Sequence, residues 1–348
     1  MKFIFIENTI NFTSISLDLK AIDSAQKNFI NFVVELKKRG HDVTVYNNTK
    51  NKRREKGILW DNLSNLRNNI LNTDILIVCD DEKFINLNVN ASLKIFWITS
   101  LIDNNKYKNI LINLLKNKFI LMHSSYSMIS ALPETYNYIP KVFLEKGVGE
   151  SFFKHNNFDI TSCKAFVTTH PLRGLDWLID LWVNIISTKI PWAELHIYSK
   201  NLFNNKFLNN IKINNLKLKL IKYKNNGIYI LKPLSEYNFL KNLKNYRVHL
   251  NPSDNLNFSS LSLLESQAAG IPIISKKYSE IENYVNHNET GYLTNDVHAF
   301  SKKTIDLLTD NSLFLKFRNN SKLNNRIKTW KEAIEKFESK INENIIYR

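Results

Sequence analysis

The chain has 348 residues, of which 43% are hydrophobic and 12% aromatic, enough apolar material for more than one core, so the domain-size rule predicts two domains. Its 48 Lys and Arg against 32 Asp and Glu leave a formal charge of +16, which favours anionic partners such as nucleic acid, an anionic membrane surface or phosphate-bearing substrates. The two cysteines, Cys79 and Cys163, argue against a disulfide framework and read as buried thiols of a cytoplasmic protein, and no apolar run reaches the ~18 residues of a membrane-spanning helix.

In chain order, "KFIFIE" reads as a strand, since the apolar run from Met1 ends at Glu7 and is too short for a signal-peptide core. "SAQKNFINFVVELKKRG" reads as a helix with Phe29, Phe32, Val33 and Leu36 on one face and Gly40 at its stop. "HDVTVYN", "DILIVCD", "LKIFWIT" and "KFILMHS" follow as short strands. Strands alternating with helix-length stretches predict α/β architecture with parallel sheets. Pro140, Gly147 and Gly149 break the alternation, and the expected division is a first Rossmann-like domain over 1–155, a second over 156–325, and a terminal helix over 326–348. The second unit reads "CKAFVTT", "LDWLIDLWVNII", "AELHIYS", "GIYILK", "YRVHLNPS", "IPIIS" and "TGYLT". The basic stretch Lys200 to Asn226 could suggest a nucleic-acid face, but its Leu and Ile recur at core spacing and stacking aromatics are few. It reads better as a solvated helix and an edge strand, with no nucleic-acid partner.

"NFSSLSLLESQAAGIPIIS" holds a single ionisable side chain, Glu265. A helix from "LSLLESQAAG", closed by Gly270, places Glu265 on the inward face with Leu261, Leu264 and Ala268. An unpaired carboxylate there would cost several kcal/mol, roughly, so donors such as sugar or ribose hydroxyls are one reading; a Glu that only complements the helix dipole is the other. The backbone amides of Phe258, Ser259 and Ser260 lie at the expected helix N-terminus, where an anion could sit, or the serines are plain caps.

"NPSDNLNFSSLSLLESQAAGIPIISKKYSEIENYVNHNETGYL" resembles the donor-site signature of glycosyltransferase family 4, retaining enzymes of the GT-B fold. "HPLRGLDWLIDLWVNIISTKIPWAELHIYS", "KVFLEKGVGESFF" and "FVVELKKRGHDVTVYNN" are similar to further segments of that family, so the likeness runs from about Asp23 to Leu293. It implies two Rossmann-like domains facing across a cleft, with the terminal helix crossing back to the first. It implies that Glu265 holds the ribose hydroxyls of a nucleotide-sugar donor, that Arg173 contacts the donor diphosphate, and that the amides of Phe258, Ser259 and Ser260 bind phosphate or sugar oxygens. The ordinary reading of Arg173 is a surface cation after a turn.

The chain departs from the family at several places. The first acid of the family's glutamate pair is Asn257, the Gly-Gly loop is Asp23-Ser24, a His-Asp pair is Thr99-Ser100, and an arginine before "HPLRG" is Thr168 or Thr169. The resemblance implies a hexosyltransferase with Arg173 and Asn257 in catalytic positions, a UDP-, GDP- or ADP-sugar as donor, and a glycan or lipid-linked acceptor. It needs no cofactor and no metal. The setting it implies is surface-polysaccharide assembly in the cytoplasm, at the inner face of the membrane, where the basic charge suits peripheral contact with anionic lipid. The alternative is a homologue that keeps the fold and binds nucleotide or glycan without turnover.

Overall fold

The computed structural model describes residues 1–9, 11–66, 71–99, 106–204, 210–253, 261–278 and 280–346. They fall into two compact units, one of Met1–Gly147 with Lys328–Arg348 and one of Val148–Ile327.

The first unit is built on an eight-stranded sheet: β1 Lys2–Glu7, β2 Asp42–Asn47, β3 Arg53–Glu55, β4 Ile58–Asn62, β5 Leu71–Cys79, β6 Val89–Ile98, β7 Phe119–His123 and β8 Lys141–Phe143. Their order is β3-β4-β2-β1-β5-β6-β7-β8, and every pairing is parallel except the β3–β4 hairpin. A parallel sheet needs both faces covered, and the alternation of β1 supplies them. Phe3 and Phe5 enter a core with Phe29, Phe32, Val33 and Leu36 of helix α1 (Ser24–Lys38), while Ile4 and Ile6 enter a second core on the other face. The helix Trp330–Ile346 closes the first of these with Ala333, Ile334, Phe337 and Ile341. Phe337 meets Phe32 edge-on at 5.1 Å, and Glu338 takes the guanidinium of Arg39 at 2.7 Å and the His41 ring at 2.7 Å.

The second unit carries β9 Lys164–Val167, β10 Glu194–Tyr198, β11 Ile228–Leu231, β12 Val248–Asn251, β13 Ile273–Ser275 and β14 Gly291–Leu293. All pairings are parallel and the order is β11-β10-β9-β12-β13-β14, which within the unit is 3-2-1-4-5-6. The basic stretch after Lys200 contributes the helix Ile211–Lys222, which buries Ile213, Leu216 and Leu220 in this core, and the strand that follows is the sheet's edge. Cys79 is buried and Cys163 only half-buried. Among the described residues no helix is long and apolar enough to cross a membrane.

Candidate functional site

In an open parallel sheet ligands gather beyond the carboxyl ends of the strands, where the strand order reverses. In the second unit that point lies between β9 and β12. The turn after β9 carries Arg173; the turn after β12 leads to helix α2 (Leu261–Ala268), which carries Glu265. The two turns touch closely. Gly174, with φ +77°, sits so near Pro252 that a Cβ on it would lie 2.3 Å from the Pro252 carbonyl oxygen, so the approach requires glycine and a left-handed backbone. Asn251 ties three strand ends together: its Nδ2 donates to Ser275 Oγ at 2.9 Å and its Oδ1 accepts from Thr169 Oγ1 at 3.1 Å.

Beneath the turns a closed ring of hydrogen bonds fixes α2 to the sheet. His249 Nδ1 lies 2.8 Å from Ser266 Oγ and its Nε2 lies 3.1 Å from Thr168 Oγ1. Thr168 Oγ1 lies 2.9 Å from Ser262 Oγ, and Ser266 Oγ donates to the Ser262 carbonyl at 2.8 Å. Because the Ser266 proton is spent on that carbonyl, its oxygen must accept from His249 Nδ1–H. Nε2 then accepts from Thr168, which in turn accepts from Ser262. One neutral tautomer satisfies every member. The imidazole is fully buried, stacked on Phe166 at 4.1 Å, and burial lowers its pKa to about 3.

Glu265 is 3% exposed, on the same side of α2 as Leu264 and Ala268, which enter the core. It makes electrostatic or hydrogen-bonding contacts of its own in this setting. Arg173 is half-buried on the turn His170–Gly174, whose Arg173 N–H donates to the His170 carbonyl at 2.9 Å. Burial lowers its pKa to about 10, so the guanidinium stays charged at neutral pH. The same strand ends hold a further cation, Lys276, over the Trp177 ring at 4.4 Å. Asn257, Phe258, Ser259 and Ser260 lie outside the described residues. Sequence reasoning missed the ring of Thr168, His249, Ser262 and Ser266; its one signal was a pair of serines four apart on a helix that follows a strand histidine.

The departures in the first unit have structural work. Asp23 caps α1 by accepting from the Gln26 N–H at 2.8 Å. Thr99 donates its N–H to Asp80 Oδ1 at 2.8 Å and its hydroxyl to the other oxygen of that carboxylate; Ser100 lies outside the described residues. At the switch point of this sheet, between β1 and β5, Glu7 is 6% exposed. Burial raises its pKa to about 7, with Asp80 and Asp23 adding to the shift against the hydrogen bonds from Thr9. Among the described residues no cluster of three or more His, Cys, Asp or Glu is placed to hold a metal ion.

Residues 162–310 match the family described as Glycosyl transferases group 1. That range contains both Arg173 and Glu265 and all four members of the histidine ring. The chain is similar in structure to sucrose-phosphate synthase from Thermosynechococcus elongatus, with a TM-score of 0.75 at 10% identity over 100% of both chains. It is similar to a glycosyltransferase from Rickettsia africae, with a TM-score of 0.70 at 14% identity over 99% of this chain and 98% of that one. Anabaena HepE, crystallised with UDP and glucose, gives a TM-score of 0.68 at 10% identity over 99% and 100%. These are GT-B glycosyltransferases, and GT-B is the fold of this chain. No curated protein matches it in sequence.

Proposed function

We propose that the chain is a retaining glycosyltransferase of family 4 that moves a hexose from a nucleotide diphosphate sugar to a glycan or lipid-linked acceptor. The observation that carries this reading is that Arg173 on the turn after β9 and Glu265 on the helix following β12 flank one switch point, inside the stretch that matches Glycosyl transferases group 1. A charged, half-buried guanidinium suits a diphosphate, whose negative charge grows as the sugar leaves. A buried carboxylate on the adjoining helix suits vicinal ribose hydroxyls, which donate to it. The donor is a UDP-, GDP- or ADP-sugar; HepE, which shares the fold, was crystallised with UDP-glucose. No metal or cofactor takes part in this proposal, and the site of action is the cytoplasm, at an anionic membrane face.

A second reading, a homologue that binds without turnover, is favoured by Asp23, Thr99 and Thr168, all of which are engaged in internal hydrogen bonds where the family resemblance implies donor or acceptor contacts. Calorimetric titration with UDP, GDP, ADP and their sugars tests the donor site. Glu265→Gln should weaken nucleotide binding at least tenfold, since each charge-assisted bond reduced to a neutral one loses roughly 1 kcal/mol or more. Arg173→Ala should weaken it comparably and depress turnover further. If neither wild type nor variants bind any nucleotide at millimolar concentration, the glycosyltransferase reading fails. Asn257→Glu separates the two readings: a gain of donor hydrolysis or transfer would mean that the natural chain is impaired.

A further inference from the structure

The first unit holds a cavity of about 480 Å³ at the carboxyl ends of β7 and β8, away from its switch point between β1 and β5. One wall is aromatic. Phe143, which ends β8, stacks on Tyr126 at 4.5 Å and 14°, and His123, which ends β7, meets both rings edge-on. The outer ring is open, since Tyr126 is 62% exposed. Two cations among the described residues line the space. Lys141 donates to the carbonyls of Tyr136 and Ile139 at 2.9 and 3.3 Å, which uses two of its three hydrogens, and it has no carboxylate partner among the described residues. Lys340 of the helix Trp330–Ile346 lies 6.0 Å from the Phe143 ring. Glu343, one turn further on, joins the lining with Ile129 and Val142.

The His123 ring is held for one task. Its Nδ1 lies 3.0 Å from the Ser125 carbonyl, and only a protonated Nδ1 can donate there, so in the neutral ring Nε2 is an acceptor. Burial lowers its pKa, and Lys141 and Lys340 push the same way. Among the described residues the cavity therefore offers ammonium donors, a neutral imidazole acceptor, a carboxylate and a flat aromatic plate, with two aliphatic side chains. A volume of this size suits a small ligand rather than an acyl chain. Cations select phosphate or carboxylate, acceptors select hydroxyls, and an aromatic face takes the apolar side of a sugar ring.

We propose that this cavity binds an anionic sugar, with its phosphate or carboxylate between Lys141 and Lys340, its hydroxyls on His123 and Glu343, and its ring against Tyr126. As the anionic end of the acceptor, this ligand rests on the glycosyltransferase reading; the binding itself does not, and nucleotide titration fails or succeeds independently of it. The test is NMR of the full chain with labelled histidine, titrated with glucose 6-phosphate, glucuronate, glucose, inorganic phosphate and phosphatidylglycerol vesicles. The charged sugars should shift the His123 ring signals at millimolar concentration and raise its pKa, and glucose should bind about tenfold more weakly. Lys340→Gln and Tyr126→Ala, both at the accessible side of the cavity, should each weaken the charged sugars about tenfold. Equal binding of charged and neutral sugars, unchanged binding in both variants, a response to vesicles alone or to inorganic phosphate as strongly as to the sugar phosphate, or no response at tens of millimolar would overturn the proposal.

Discussion

Replacing His249 by Phe keeps the stack on Phe166 and removes two hydrogen bonds from the ring that holds α2. At pH 7.5 the loss should be about 1–3 kcal/mol, from two bonds worth roughly 0.5–1.5 kcal/mol each. The pH dependence is the sharper signature. The imidazole titrates near 6.5 when unfolded and near 3 when folded, so between those values the unfolded chain carries the extra proton. Wild-type stability therefore falls as pH drops below 6.5, by about 1.4 kcal/mol per unit from this group, or about 2 kcal/mol at pH 5. The variant lacks that loss. Urea unfolding of both proteins at pH 5, 6, 7 and 8 should give a wild-type advantage that is flat above pH 7 and shrinks to about zero near pH 5. Because the other histidines are common to both proteins, they cancel in the difference. Parallel stability profiles would mean that His249 is not held neutral in the ring, and the assigned direction of the bonds would be wrong.

Glu7 titrates near 7 when folded against 4.5 when unfolded, so its stability contribution is complete below pH 4.5 and is lost as pH rises to 7; Glu7→Gln should gain up to about 3 kcal/mol over wild type at pH 8 and nothing at pH 4 in the same urea assay. Gly174→Ala, at φ +77° and against the Pro252 carbonyl, should destabilise by more than about 2 kcal/mol and lower nucleotide affinity through Arg173, whereas a thermal midpoint within a degree of wild type would show that the two turns are not packed as described.

The pattern of strands was legible because each core strand is a short apolar run bounded by a polar or turn residue, as in "KFIFIE" and "AELHIYS". Helix α1 was legible because Phe29, Phe32, Val33 and Leu36 share a helical face, and all four are buried. The hairpin of Arg53–Glu55 with Ile58–Asn62 was not, since "RRE" is a polar edge strand whose turn, Lys56-Gly57 with φ 47° and 78°, depends on backbone conformation more than on hydrophobic pattern. Nor was β8, three residues between a proline and the glycines that read as a break. The inward position of Glu265 came from helical spacing alone. The ring around His249 did not, because Thr168, His249 and Ser262 come from three segments that become neighbours only when β9 pairs with β12.

That ring bears on the departures from the family pattern. Thr168 stands where the resemblance implies Arg at this position or the next, and its hydroxyl is closed between His249 and Ser262; Thr169 is bonded to Asn251. Neither site is left open for a cation to replace the threonine without breaking a bond that secures α2 or the strand ends. On the proposed donor reading, the positive charge for a diphosphate at this switch point would come from side chains on the adjoining turns, Arg173 after β9 and Lys276 after β13. A charge moved from an arginine to a lysine keeps attraction but gives up bidentate geometry. On the proposed donor reading, the threonines would trade a planar contact to phosphate for a firmer seat under the helix that carries Glu265, weakening the hold on phosphate while leaving that on ribose.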